Sequence, residues 1–502
     1  MPRVLSSPRV ATIAAAAVTV ALLAAVAGDA TPLLRGPAPW PPEWQWGLRE
    51  ATPEHGVAGA VLWSVVLIAL VVGAGSARLD RAGRLVVTGW LLAASIGSLG
   101  LTTSLAAMED GHGAVDVLVR RTLSKGFTSY HTVAVSEDAR DVGVFLARFD
   151  ELLPDLPTHA RAHPPGPIVF YRALHGLVTS SPGLERALVA RGEAGGYREP
   201  LRGPPTQDAH VASALLGALV LLAVASLAPL ACAAFARALG ASRSRATGIG
   251  ALTALVPGLA LMTPTFDQLL VPLLLTVVAL LATATAPGRN AAQRWALATS
   301  AGALAGVCVF CSFGAPIFMA VGGLMAAASS LARGSRPGRD VAAPMALAAA
   351  VCALGFFVPM LVGYDPIAGL RAALGVHAEE FTSRRSYGAW VLFNLWDLFV
   401  FAGPPLGVLL IARLTRREGG LAASVAWTLA ISLLLLDLSG VVRGEAGRIW
   451  VPLMPYVLVA ALIDDERAER NPAAECARPV WVVLAALLAL TCIVLRWHWR
   501  LP

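Results

Sequence analysis

The sequence predicts an all-α polytopic membrane protein of about thirteen transmembrane helices, with one large extracytoplasmic loop that carries short juxtamembrane helices. Three observations lead there. Of 502 residues, 56% are hydrophobic and only 14% charged, where soluble domains carry roughly a quarter charged; mean hydropathy is +0.67. Apolar runs of bilayer-spanning length recur from one end of the chain to the other. The arginines fall between those runs, so the net charge of +7 reads as a set of orientation signals rather than a nucleic-acid surface. No nucleic-acid partner is expected, and membrane lipids are.

In chain order, Arg3 and Arg9 precede an apolar run over 11–27. Ala25-Val26-Ala27 has the small residues of a signal-peptide cleavage site, but the length of the run favours an uncleaved signal anchor. Either way the next loop, 28–56, faces outward. Its Trp40, Pro41, Pro42, Trp44 and Trp46 suit an interfacial segment. Two spans follow, near 57–76 and 85–107, separated by Arg78, Arg81 and Arg84. The chain thus divides into N-terminal helices (1–107), a hydrophilic loop (108–208) and a helix bundle (209–502). Within the bundle, apolar segments lie near 209–236, 246–262, 268–286, 295–312, 315–332, 341–363, 389–412, 421–438, 449–463 and 479–496. Gly and Ala within them, as from Gly314 to Gly323, allow close helix approach.

Charge sets the orientation. With the N-terminus cytoplasmic, the short inner segments hold nineteen arginines and the short outer ones nine. The long loop, whose basic residues include Lys125, is left out because long loops translocate largely regardless of charge. The bias places loop 108–208 outside, in a chain of the cytoplasmic (inner) membrane. A long polar loop in a compact membrane protein is functional or disordered. Helical periodicity in Val142, Phe145, Leu146, Phe149, Leu152 and Leu153 favours order.

That topology gathers the chemically interesting residues on the outer face. Glu109 and Asp110 sit where the third span ends, and Tyr130-His131, Asp141, Asp150, Asp155, His159 and His163 follow. Later loops add Asp267, Tyr364-Asp365, His377, Glu379-Glu380, Arg384-Arg385 and Arg443-Gly-Glu445-Ala-Gly-Arg448. Carboxylates and arginines converging at a membrane surface suit a substrate with both phosphate and hydroxyl groups. Each feature also has a plainer reading. An acidic pair at a helix end is often only solvated, and Arg443 and Arg448 fit a pairing with Glu445 as well as an anionic headgroup. His159 and His163 share the spacing of metal ligands on a helix, but Pro164-Pro165 forces His163 toward an extended backbone, so no metal is expected there. Physically, His163-Pro-Pro-Gly-Pro167 is a rigid entry into a short helix over 168–178. Cys308-Val-Phe-Cys311 lacks a second pair or a nearby His and reads as small apolar residues in a helix. Asp397, with Asn394 nearby, is the main carboxylate deep in a span; it is a functional or a packing residue.

At His163-Pro164-Pro165 the layout resembles the GT-C superfamily of polyprenyl-phosphate-sugar-dependent glycosyltransferases, which includes protein mannosyltransferases and aminoarabinose transferases. Glu109-Asp110 opens the loop as the acidic pair of that family does, Tyr130-His-Thr-Val-Ala134 resembles its Tyr element, and His163-Pro164-Pro165 closes the loop. Arg448, before Ile-Trp-Val-Pro, resembles its phosphate-binding arginine. In the family the acidic pair lies a few residues before the Tyr, a place held here by Gly126-Phe127, and fewer spans precede the loop. The resemblance implies an inverting transfer of sugar from a polyprenyl-phosphate donor to a lipid, glycan or protein acceptor. A carboxylate acts as general base: Glu109 or Asp110 first, then Asp141 and Asp267. Tyr130, His159, His163, Arg384, Arg385, Glu445 and Arg448 bind substrate, and neither cofactor nor metal is implied. Two other classes stay open. A transporter or lipid flippase would need polar mid-bilayer residues or interrupted helices, toward which only Asp397 to Pro405 leans. A catalytically inactive membrane scaffold would need neither.

Overall fold

A computed structural model describes residues 8–74, 78–109, 111, 113–198, 206–416, 419–464 and 478–501. The chain is a polytopic helical membrane protein. Among the described residues ten helices are long and apolar enough to cross a membrane: Arg9–Ala27, Val57–Ala74, Arg84–Ala107, Asp208–Ala238, Phe266–Thr285, Ala291–Cys311, Ala315–Ala332, Pro337–Val362, Leu421–Leu438 and Pro479–His498. The pair Tyr387–Ala402 and Pro404–Leu414, bent by 112°, makes an eleventh if the two are one span. The bend falls at Gly403, whose φ of 107° suits only glycine, and Pro404-Pro405 cannot donate the hydrogen bonds that would carry the helix through.

Three of the thirteen expected spans are not single long helices, and proline stands at each break: 389–412 is the pair bent at Gly403-Pro404, and two more are divided. Over 246–262 the helix Arg243–Thr253 stops, and Pro257–Leu261 starts afresh. Over 449–463, Pro452 and Pro455 divide the chain into a short 3-10 turn, Val451–Leu453, and the helix Met454–Leu462. Phe266–Thr285 is the central helix, with 78% of its span buried, whereas only 6% of Pro337–Val362 is covered by protein. Small residues set the tight crossings. A Cβ on Gly302 would lie 2.5 Å from the Ala348 carbonyl, and one on Gly306 would lie 3.1 Å from the Gly355 Cα.

The segment 108–208 folds into short helices, including Ala114–Leu123, Tyr130–Ala134, Val142–Ala147, Thr158–Arg161, Gly166–Thr179 and Pro182–Ala194. Phe145, Leu146, Phe149 and Leu153 are buried, as their periodicity requires, while Val142 and Leu152 pack at the margin. The Pro-Pro-Gly entry docks this layer on the bundle. A Cβ on Gly166 would stand 2.2 Å from the Phe310 carbonyl, so only glycine lets the two backbones meet there.

The Pro- and Trp-rich loop is more than an interfacial segment. Trp46 is 1% exposed, Gly47–Leu48 pairs as a strand with Trp499–Arg500, and the Leu34 carbonyl accepts from Trp396 Nε1 at 3.0 Å. The first loop, the bent helix and the end of the last helix are therefore knitted together.

Candidate functional site

The acidic residue at the end of the third span meets two arginines from distant sequence. Arg496, 1% exposed in the last helix, places Nη1 3.0 Å from Glu109 Oε2 and donates from Nη2 to the Leu261 carbonyl at 2.5 Å. Arg121 of the 114–123 helix pairs with the same Glu109 oxygen. It also donates to the Thr263 carbonyl and, at 2.6 Å, to that of Leu501. Burial pulls the Arg121 pKa down and Glu109 opposes the shift. This arrangement ties the third span, the loop and the last helix into one pin. Asp110, the other half of the pair, lies outside the described residues.

A second cluster forms around the Tyr element. Tyr130, 5% exposed, faces the His163 ring edge-on at 5.5 Å and the Phe266 ring at 6.1 Å. Ser129, at φ 58°, turns the chain into the short helix that presents it. His163 donates from Nδ1 to the His159 carbonyl at 2.8 Å. A carbonyl only accepts, so this bond places the proton on Nδ1 and leaves Nε2 as an acceptor in the neutral ring. Burial drives the His163 pKa down, against the pull of Asp267.

Asp267 stands in the first turn of the central helix, just after its N-cap Thr265. Its charge acts on Tyr130, His163 and Arg448, yet its side chain has no hydrogen bond or ion pair among the described residues. Arg448 pairs through Nη2 with Glu445 Oε2 at 3.0 Å, while its Nε is buried without a partner. Burial pulls the Arg448 pKa down, but Glu445, Asp267 and Tyr130 together outweigh it and hold the guanidinium charged. The Tyr130 phenol is pushed well up, first by burial and then by Asp267. The site thus offers an unengaged carboxylate, a neutral imidazole nitrogen, a protonated phenol and a cation with a free donor.

The structure accordingly brings together Tyr130, His159, His163, Asp267, Arg385, Glu445 and Arg448. Arg385 joins through the charge of Glu445, although burial is the first influence on it. The remaining candidates lie elsewhere. Asp141 is exposed and caps the helix Val142–Ala147, accepting from the Val144 N–H at 3.0 Å. Arg384 is 62% exposed and pairs along its own turn with Glu380. Two residues join that the linear sequence did not single out as site residues on their own. His377 feels the charges of His163 and Arg385 after burial, and Glu43, from the Trp-rich loop, acts on Arg385. Glu43 carries no local signal, since a lone carboxylate between Pro42 and Trp44 looks like any solvated loop residue. Among the described residues, no group of three or more His, Cys, Asp or Glu is disposed to hold a metal ion.

The histidines make a pH test. Burial lowers His159 to about 4, with Arg448 and His163 adding to the shift, and lowers His131, beside Tyr130, to about 3. Their ordinary value is 6.5. Between 6.5 and these lower values the unfolded chain binds protons that the folded chain refuses. Stability is therefore expected to be level above pH 6.5 and to fall steadily from 6.5 toward 4. Thermal unfolding across that range checks it; a flat profile would mean that these rings are solvated.

No family model matches the chain, and no curated protein is significantly similar to it.

Proposed function

We propose that this chain is a membrane glycosyltransferase that moves a sugar from a polyprenyl-phosphate-linked donor to a lipid, glycan or protein acceptor at the extracytoplasmic face. The observation that carries the reading is Asp267, a carboxylate with no side-chain partner among the described residues, within electrostatic reach of a cation whose Nε has no hydrogen-bond partner among them either. In the reaction Asp267 takes the proton of the acceptor hydroxyl as that oxygen bonds the anomeric carbon. The bond from that carbon to the phosphate oxygen breaks with inversion, and its electron pair leaves with polyprenyl phosphate. Arg448, with Arg385 nearby, meets the charge. Tyr130 and His163 wall the site and offer hydrogen-bonding groups to sugar hydroxyls.

The resemblance of Tyr130-His-Thr-Val-Ala134, His163-Pro164-Pro165 and Arg448 to the GT-C pattern supports the same reading, and so does the charge bias that turns loop 108–208 outward. With the broken 246–262 and 449–463 segments and the bent 389–412 pair counted as crossings, the topology has thirteen spans in the cytoplasmic membrane, its N-terminus inside. A reporter inserted after Arg289 is then expected to read cytoplasmic and one after Gly196 external; the reverse result would place the site on the wrong face. Purified protein in lipid, supplied with polyprenyl-phosphate sugars, tests the activity directly.

One feature favours a transporter: the span interrupted at Gly403, with Asp397 buried beside the break. Both Asp397 oxygens are engaged, one by Trp46 and one by the Gly447 N–H. Those bonds fit a packing role, and the enzyme reading is the stronger.

A further inference from the structure

Arg448 sits at the end of a turn that would not hold its shape alone. Gly440, Gly444 and Glu445 take φ values of 64°, 118° and 54°, and the left-handed region strains a non-glycine residue such as Glu445. Two buried carboxylates from elsewhere steady the turn, one by a direct bond beside Arg448 and one by way of Arg385 and Arg443.

At the Arg448 end, Asp397 (3% exposed) accepts from the Gly447 N–H at 3.3 Å through Oδ2. Its other oxygen accepts from Trp46 Nε1 at 3.1 Å. Gly447 lies so close that a Cβ there would meet Phe401 Cδ2 at 2.3 Å and Trp46 Cζ2 at 2.9 Å. At the far end, Glu43 (6% exposed) accepts from the Ser386 N–H at 2.9 Å and from Trp390 Nε1 at 2.7 Å. It thereby fixes the chain beside Arg385, whose Nη1 donates to the Arg443 carbonyl at 2.5 Å. Arg443 answers with bonds to the carbonyls of Arg385 (3.0 Å) and Thr382 (2.8 Å). Each oxygen of Glu43 and Asp397 accepts an N–H, so both carboxylates are fixed to the chain around them.

We infer that Glu43, Trp46 and Asp397 are positioning residues: the first outer loop and the bent helix together aim the Arg448 guanidinium by holding the 440–448 turn, directly at Gly447 and by way of Arg385 at Arg443. The inference rests on the reading that Arg448 receives the phosphate of the donor. It makes the Trp-rich loop part of the site, although it supplies no group that touches substrate.

The test is binding of farnesyl monophosphate, with farnesol as the neutral control, to the full chain in lipid nanodiscs. Arg448→Ala is expected to erase the preference for phosphate over alcohol. Trp46→Phe keeps the ring and removes the N–H. Asp397→Asn keeps one acceptor oxygen where two are needed. Each should weaken phosphate binding about ten-fold, the scale of a lost charge-assisted hydrogen bond, and leave farnesol binding unchanged. Glu43→Gln should act in the same sense. If Arg448→Ala loses the preference while the other variants bind phosphate like the parent per folded molecule, the positioning role is overturned and the phosphate reading stands. Equal weakening for phosphate and alcohol would mark these residues as structural and also overturn it. If Arg448→Ala keeps the preference, the phosphate reading itself falls.

Discussion

Asp267→Asn is expected to abolish sugar transfer, lowering turnover per folded molecule by about a hundred- to ten-thousand-fold, the range over which a positioned general base contributes. The substitution is isosteric and the side chain has no hydrogen bond or ion pair among the described residues, so the fold should be nearly untouched. Glu109→Gln in the same assay is expected to reduce the yield of folded protein and to spare turnover of what remains. The contrast follows from geometry. Asp267 shares its surroundings with Tyr130, His163 and Arg448, whereas Glu109 is held by Arg121 and Arg496. Full turnover by Asp267→Asn together with a folded, inactive Glu109→Gln would move the base to the end of the third span. A well-folded parent that transfers from no polyprenyl-phosphate donor would shift the weight to a transporter or scaffold.

The pin at Glu109 carries the second large effect. Removing one member of a buried, hydrogen-bonded ion network costs about 3–5 kcal/mol, because the partner is left charged and desolvated. Arg496→Ala should reach that range, since Arg496 is 1% exposed and also gives up its bonds to the carbonyls of Leu261 and Leu501. Glu109→Ala should sit at the lower end, its side chain being 25% exposed. The double variant should cost less than the two singles added, as residues of one network do. Thermal unfolding in detergent reads the losses, and carboxypeptidase digestion reads release of the 499–501 segment that Arg121 and Arg496 hold. Single variants within about 0.5 kcal/mol of the parent, the scale of an ordinary surface change, would show that the pin holds nothing.

Much of the architecture was legible because a bilayer leaves few options. Residues such as Leu67, Leu274 and Leu458 lie in runs whose backbone polar groups must be satisfied internally, and the helix is the economical solution. The spacing of Phe145 and Phe149 marked order in the loop, and Pro164-Pro165-Gly166 marked a helix entry. The places where expectation and structure part are at proline. Hydropathy sums apolar character over a window and ignores the missing N–H, so Pro257, Pro452 and Pro455 looked like span residues and act as breaks.

The site was legible only in part. Tyr130, His163, Arg385, Glu445 and Arg448 stood out by residue type and by their place at the outer ends of spans. Chain position could not rank Glu109, Asp141 and Asp267, because all three are acids in outer segments and differ only in what they touch. One is paired with arginines, one caps a helix, and one is left unengaged. Glu43 and Trp46 were out of reach for the same reason. Their partners, Trp390 and Asp397, lie some 350 positions away, and a hydrogen bond between distant segments leaves no local periodicity to read. By itself, then, the sequence determined a multi-pass helical protein with a folded polar loop, since those follow from hydropathy and local spacing. Which acid is paired, which caps a helix, and that Trp46 and Glu43 bond residues some 350 positions away was decided only by the tertiary structure, because pairing depends on contacts the linear order does not contain.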